Sequence, residues 1–113
     1  MLIGKGRRKK EQLQKKAIVW DYPMPSEDIG FAVQELNGRV PDSGWMRNKI
    51  CNELCFVIKG KGIVFVESEK YEINEGDVFI ISPGKKSYIV ANGLKILAVT
   101  SPNWYAEQCE SVE

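Results

Sequence analysis

The chain has 113 residues, 43% hydrophobic and 27% charged, with 16 Lys+Arg against 15 Asp+Glu and no histidine. This is one domain with enough apolar content to bury a core, too hydrophobic for a disordered chain and without the run of roughly 18 apolar residues that a membrane span needs. The missing histidine excludes His-ligated zinc, iron, copper and nickel sites and every mechanism that needs an imidazole base.

The first sixteen residues carry seven basic groups (Lys5, Arg7, Arg8, Lys9, Lys10, Lys15, Lys16) against one acid, Glu11, leaving nine basic and fourteen acidic groups on residues 17–113. A basic arm, 1–16, therefore precedes a domain over 17–113. Glu11 to Lys16 are good helix formers with no proline among them, so a short frayed helix is expected. Such charge runs are solvated termini more often than nucleic-acid contacts, and no aromatic ring is interleaved to stack on bases, so no nucleic-acid partner is expected. The arm also lacks the apolar stretch of a secretory signal. The three cysteines, Cys51, Cys55 and Cys109, are accordingly expected as free thiols in a reducing cytoplasm.

Beyond the arm the pattern changes to short strands. Ala17–Trp20 is a short apolar run, Asp21–Asp28 with Pro23 and Pro25 is a linker, and Gly30–Leu36 is strand-like up to the Asn37-Gly38 turn signal. Val40–Trp45 reads as a loop. Ile50–Ile58, Ile63–Val66, Tyr71–Ile73, Val78–Ile81, Ser87–Val90 and Leu94–Thr100 follow as strands, separated by Gly60-Lys61-Gly62, Glu67–Lys70, Asn74-Glu75-Gly76, Pro83–Lys86 and Asn92-Gly93. Asn92-Gly93 carries the strongest two-residue hairpin signal of the chain. Strands at this spacing with Gly- and Pro-bearing turns indicate an antiparallel sandwich or barrel. Several strands are apolar on both faces, so their outer side needs a cover as well: the N-terminal strands, the tail or a second copy of the chain.

Glu53-Leu-Cys-Phe-Val-Ile-Lys-Gly60, Gly62-Ile-Val-Phe-Val66 and Gly76-Asp-Val-Phe-Ile-Ile-Ser-Pro-Gly84 together resemble the two sequence motifs of the cupins, over roughly residues 44–100. The tail Ser101-Pro-Asn-Trp-Tyr-Ala-Glu-Gln108 resembles the Pro-x-Trp tail of some small single-domain members. The resemblance implies an all-β double-stranded β-helix, a jelly-roll barrel, with the basic arm before it and a short C-terminal tail after it. It also implies which positions would hold a metal. Glu53 stands at the glutamate position; the two histidine positions fall on Arg47 and Lys49, or on Met46 and Asn48, and the last falls on Ser87. All three imidazoles are lost and only a carboxylate is kept, which disfavours the metal-dependent dioxygenase, oxalate and isomerase activities of the family and its histidine-based sugar epimerases. No metal and no cofactor are expected.

If the strand is regular, Arg47, Lys49, Cys51, Glu53 and Cys55 share a face. A cation from Arg47 or Lys49 could then neutralise Glu53 where a metal sits in relatives; Glu53 could instead be protonated by burial, or serve only to hold strand register. Cys51 and Cys55 read as core side chains or, with Glu53 and Cys109, as a thiolate site. Trp45, Tyr88, Trp104 and Tyr105 could line a barrel mouth or fill a dimer interface.

Three functions remain. The first is a barrel holding a small polar ligand, sugar or carboxylate, with Trp45, Arg47, Lys49, Glu53, Ser87 and Tyr88 as its ligand-binding set. The second is a self-associating barrel plugged by Met46, Phe56 and Phe79. The third is a metal-independent isomerase or epimerase with Glu53 as acid or base. The first is favoured, and a homodimer is expected.

Overall fold

The structure is a computed structural model and describes all 113 residues. It is built of nine antiparallel strands: β1 (Lys9–Gln14), β2 (Ala17–Tyr22), β3 (Gly30–Val40), β4 (Trp45–Asn48), β5 (Asn52–Val66), β6 (Glu69–Ile73), β7 (Val78–Ile81), β8 (Lys86–Ser101) and β9 (Cys109–Val112). Two short 3₁₀ turns, Lys5–Arg7 and Ala106–Gln108, are the only helical segments, and no helix is long and apolar enough to cross a membrane. The sheet order is β1-β2-β3-β8-β4-β9, with β5 paired to β8 on one side and to β6 and β7 on the other.

Three segments expected to be turns are corners within long strands. β3 runs through Asn37-Gly38, β5 through Gly60-Lys61-Gly62, and β8 through Asn92-Gly93. Each lies at a register shift: Leu36/Gly38 between β3 and β8, and Val57/Lys59 and Lys59/Lys61 between β5 and β8. A bulge adds twist and bends a strand without ending its pairing, so these glycines fold one sheet over onto the other. Gly60 is held at φ +83, and a Cβ there would run into the Gly93 carbonyl oxygen. Only glycine accepts both that conformation and that approach.

The basic segment is a strand, not the expected helix. Lys10 and Glu11 lie opposite Trp20 and Val19 of β2, and the Arg8 guanidinium sits 3.8 Å over the Trp20 ring. An isolated helix of a dozen residues is marginal in water, whereas the apolar β2 offers an open edge with backbone partners and an aromatic ring for the cations.

The corners place Val57 and Ile96 from one half of the barrel against Val64 and Ile73 from the other, with Phe79 and Leu94 completing the core. Inward positions alternate strictly along β8: Leu94, Ile96, Ala98 and Thr100 are all buried. On β7 only Phe79 and Ile81 face inward, while Val78 and Ile80 remain 54% and 60% exposed. The strands that are apolar on both faces therefore have one covered side and one open side.

Candidate functional site

Glu53 follows from the alternation of β5. Cys55 and Val57 are buried, so Glu53, two residues earlier, projects to the same interior side. In register it lies between Thr100 of β8 and Ile81 of β7, and Thr100 in turn lies opposite Gly30 of β3. The Glu53 carboxylate accepts no hydrogen bond from the protein, and the single ion pair of the molecule is elsewhere. Thr100 Oγ1 is the one sealed-in side-chain polar atom without a partner, so the equally unpartnered Glu53 oxygens keep contact with accessible space. Burial raises the Glu53 pKa, because the surrounding protein replaces water poorly around a charge.

The cation expected beside Glu53 is not there. The chain bends at Lys49-Ile50, between β4 and β5, and this breaks the alternation that would have put Arg47, Lys49 and Glu53 on one face. Arg47 lies on β4 opposite Glu110 of β9, and its Nε donates to Glu110 Oε1 at 2.6 Å. Lys49 is exposed; its backbone N–H donates to the Gln108 carbonyl at 2.8 Å.

The remaining expected residues divide between the two faces of the sheet. Ser87 lies opposite Val66, which packs on the core, and so it is on the barrel side with Met46. Tyr88 is on the other side. It stacks on Phe65 at 4.4 Å, meets Trp45 edge-on at 4.7 Å and carries the Arg39 guanidinium at 3.9 Å. Lys86 Nζ caps Trp45 at 4.7 Å. Trp45, Arg47 and Tyr88 thus form an outer cluster and do not join Glu53, because neighbouring residues of one strand point to opposite faces.

Gln108 and Thr100 were not singled out from the sequence. Gln108 is buried; its Oε1 accepts the backbone N–H of Ile50 (3.2 Å) and of Cys51 (3.1 Å), and its Nε2 donates to Asn48 Oδ1 at 2.8 Å. Trp104 Nε1 donates to the same Asn48 oxygen at 3.1 Å, so the tail is clamped across the β4–β5 bend. No local pattern announces Gln108, whereas Thr100 could have been found by extending the inward alternation of Leu94, Ile96 and Ala98.

Cys51 and Cys55 are core side chains, and Cys51 Sγ donates to the Pro102 carbonyl at 3.5 Å. Burial raises all three thiols, Cys55 most, with the charge of Glu53 adding to each. No three His, Cys, Asp or Glu side chains converge as a ligand set. With Arg47, Lys49 and Ser87, or Met46 and Asn48, at the histidine positions, the donors present do not fit the metal of the family. Of the expected plugs, Phe79 is in the core while Phe56 and Met46 are part-exposed. Two surface recesses, of about 460 and 560 Å³, line the barrel corner and do not reach Glu53.

The bent antiparallel barrel with this motif order defines a jelly-roll domain. The family described as "Cupin domain" matches residues 33–101, and the chain belongs to it. No curated protein matches the chain in sequence. Among solved structures it is similar to a Streptomyces PAC13 with uridine (TM-score 0.88, 10% identity, covering 99% of this chain and 90% of that one). The same protein is described as a nucleoside dehydratase. It is also similar to KdgF from Halomonas sp. (TM-score 0.74, 14% identity, 92% and 96% covered). Oxalate decarboxylase from Bacillus subtilis is a third (TM-score 0.78, 16% identity, 95% of this chain and 30% of that one). At such identities the likeness is one of fold.

Proposed function

We propose that the chain binds a small polar organic molecule of the sugar or carboxylate class inside the barrel against Glu53, with no histidine-held metal. One observation carries this reading: Glu53 presents an interior carboxyl with no protein partner and with its oxygens still accessible. A carboxyl serving only to hold strand register would be hydrogen-bonded by its neighbours, whereas the Glu53 oxygens are left open to a partner from outside the chain. A ligand hydroxyl or carboxyl supplies the missing partner, and Ser87 offers a second hydroxyl on the barrel side of the sheet. The uridine held by the Streptomyces neighbour adds nucleosides to the candidate ligands.

A second reading is favoured by the raised pKa of Glu53. A carboxyl that burial makes hold its proton to higher pH than an ordinary glutamate is suited to proton transfer, as a metal-independent isomerase would require.

The partner read from the sequence, a second copy of the chain, is supported by the outer face. Ile80, Leu54, Val99 and Phe31 lie in one register row and Val78, Phe56, Leu97 and Val33 in the next, forming an apolar surface across four strands. Tyr22 extends it, edge-on to Phe31 at 5.4 Å. Contiguous apolar patches beyond a few hundred Å² are rare on monomers.

The decisive experiment is a thermal-shift panel of sugars, nucleosides and small carboxylates on the wild-type chain and on Glu53→Gln. A saturable rise in melting temperature that the variant loses supports the reading. No response from any member, or an equal response from the variant, overturns it.

A further inference from the structure

We propose that the surface recess at the barrel corner, rimmed by Lys16, Lys59 and Lys95, is an anion site for a phosphate-bearing small molecule. Lys59 and Lys95 are direct cross-strand partners, set opposite each other where β5 and β8 shift register. Like charges in that relation repel, and neither lysine is held in an ion pair: the one ion pair of the molecule joins Arg47 to Glu110. Glu35, opposite Lys95 on β3, is the only acid lining the recess, and its Oε2 already accepts the Trp20 indole N–H at 2.8 Å. Three cations against one carboxylate leave a net charge of about two, which a phosphate dianion matches and a monocarboxylate does not.

The third cation is placed by backbone bonds. The Asn37 N–H donates to the Lys16 carbonyl at 2.9 Å, and Asn37 Oδ1 accepts the Gly93 N–H at 3.1 Å. These bonds tie the β1–β2 turn to the corner and leave the Asn37 side-chain amide N–H₂ free to donate. Ile18 is the one partly exposed apolar side chain of the recess; Leu36 and Leu94 border it but their side chains are buried in the core. The recess measures about 560 Å³, room for a phosphate carrying a small organic group. This site is separate from Glu53, and its test does not depend on the barrel ligand.

Inorganic pyrophosphate is the probe, titrated against the full chain by thermal shift and by amide NMR at low and physiological salt. A saturable melting-temperature rise with shifts centred on Asn37, Gly93 and Lys95 is expected. Lys59→Gln/Lys95→Gln weakens the apparent affinity at least about tenfold. Lys5→Gln/Arg7→Gln, on the exposed N-terminal 3₁₀ turn, leaves it unchanged. Lys59→Gln alone, which keeps Lys95 opposite Glu35, raises the melting temperature without anion by relieving the opposed lysines. An absent or non-saturable response overturns the proposal, as does a response lost in the arm variant but kept in the lysine variant.

Discussion

Arg47 donates from Nε to Glu110 Oε1 at 2.6 Å, joining β4 to β9, and by that bond is taken away from Glu53. The interior carboxyl consequently has no cation to offset its burial, and its pKa is raised by desolvation.

The pH dependence follows. Below about pH 4 Glu53 is protonated in folded and unfolded chains alike and contributes nothing. As pH rises through the ordinary glutamate range, the unfolded chain ionises first, and stability is lost until the raised native pKa is passed. Glu53→Gln is therefore more stable than wild type at pH 8, by roughly 4 °C in melting temperature per kcal/mol relieved, and indistinguishable below about pH 4. Melting curves across that range check this. A variant less stable at pH 8 would show that the carboxylate has a stabilising partner.

Gln108→Leu keeps the volume of the side chain but orphans the Ile50 and Cys51 N–H groups and one side of Asn48. Each orphaned group costs about 1–3 kcal/mol when it stays buried. Urea denaturation is expected to show a lower midpoint at unchanged slope, with the amides of Ile50 and Cys51 losing hydrogen-exchange protection before the rest of β5.

Gly60→Ala meets both a left-handed backbone and the Gly93 carbonyl. A loss of about 1–3 kcal/mol is expected in chemical denaturation. Gly6→Ala, where an added Cβ touches nothing, is the neutral comparison. Equal stability of the two variants would mean that β5 does not turn its corner at Gly60.

The apolar outer face predicts association. The wild-type chain is expected to run as a dimer in light scattering coupled to size exclusion. Leu54→Lys/Ile80→Lys, two adjacent positions on that face, is expected to run as a folded monomer with an unchanged far-UV spectrum. A monomeric wild type removes the dimer.

The all-β class, the strand segments of β5 to β8 and the family could be read from the order of glycines, prolines and period-2 apolar runs. The corners could not. Asn37-Gly38, Gly60-Lys61-Gly62 and Asn92-Gly93 are local signals for positive φ, and a hairpin and a bulge both use that conformation. What separates them is whether the next strand continues along the same partner, which is a long-range fact. The strand in the arm is hidden for a similar reason: helix propensity is local, while pairing with β2 is not.

By itself, then, the amino-acid order determined the chemistry available: no imidazole anywhere, one carboxyl at the glutamate position of its motif, and free thiols. It also set the inward-outward alternation within each strand, because side-chain direction there depends only on the period of the backbone. Which groups meet was decided by the tertiary structure alone. A two-residue bend at Lys49-Ile50 was enough to hand Arg47 to Glu110 and leave Glu53 unpartnered. The two strands on either side of that bend take different neighbours, and no local pattern carries the direction in which a chain leaves a bend.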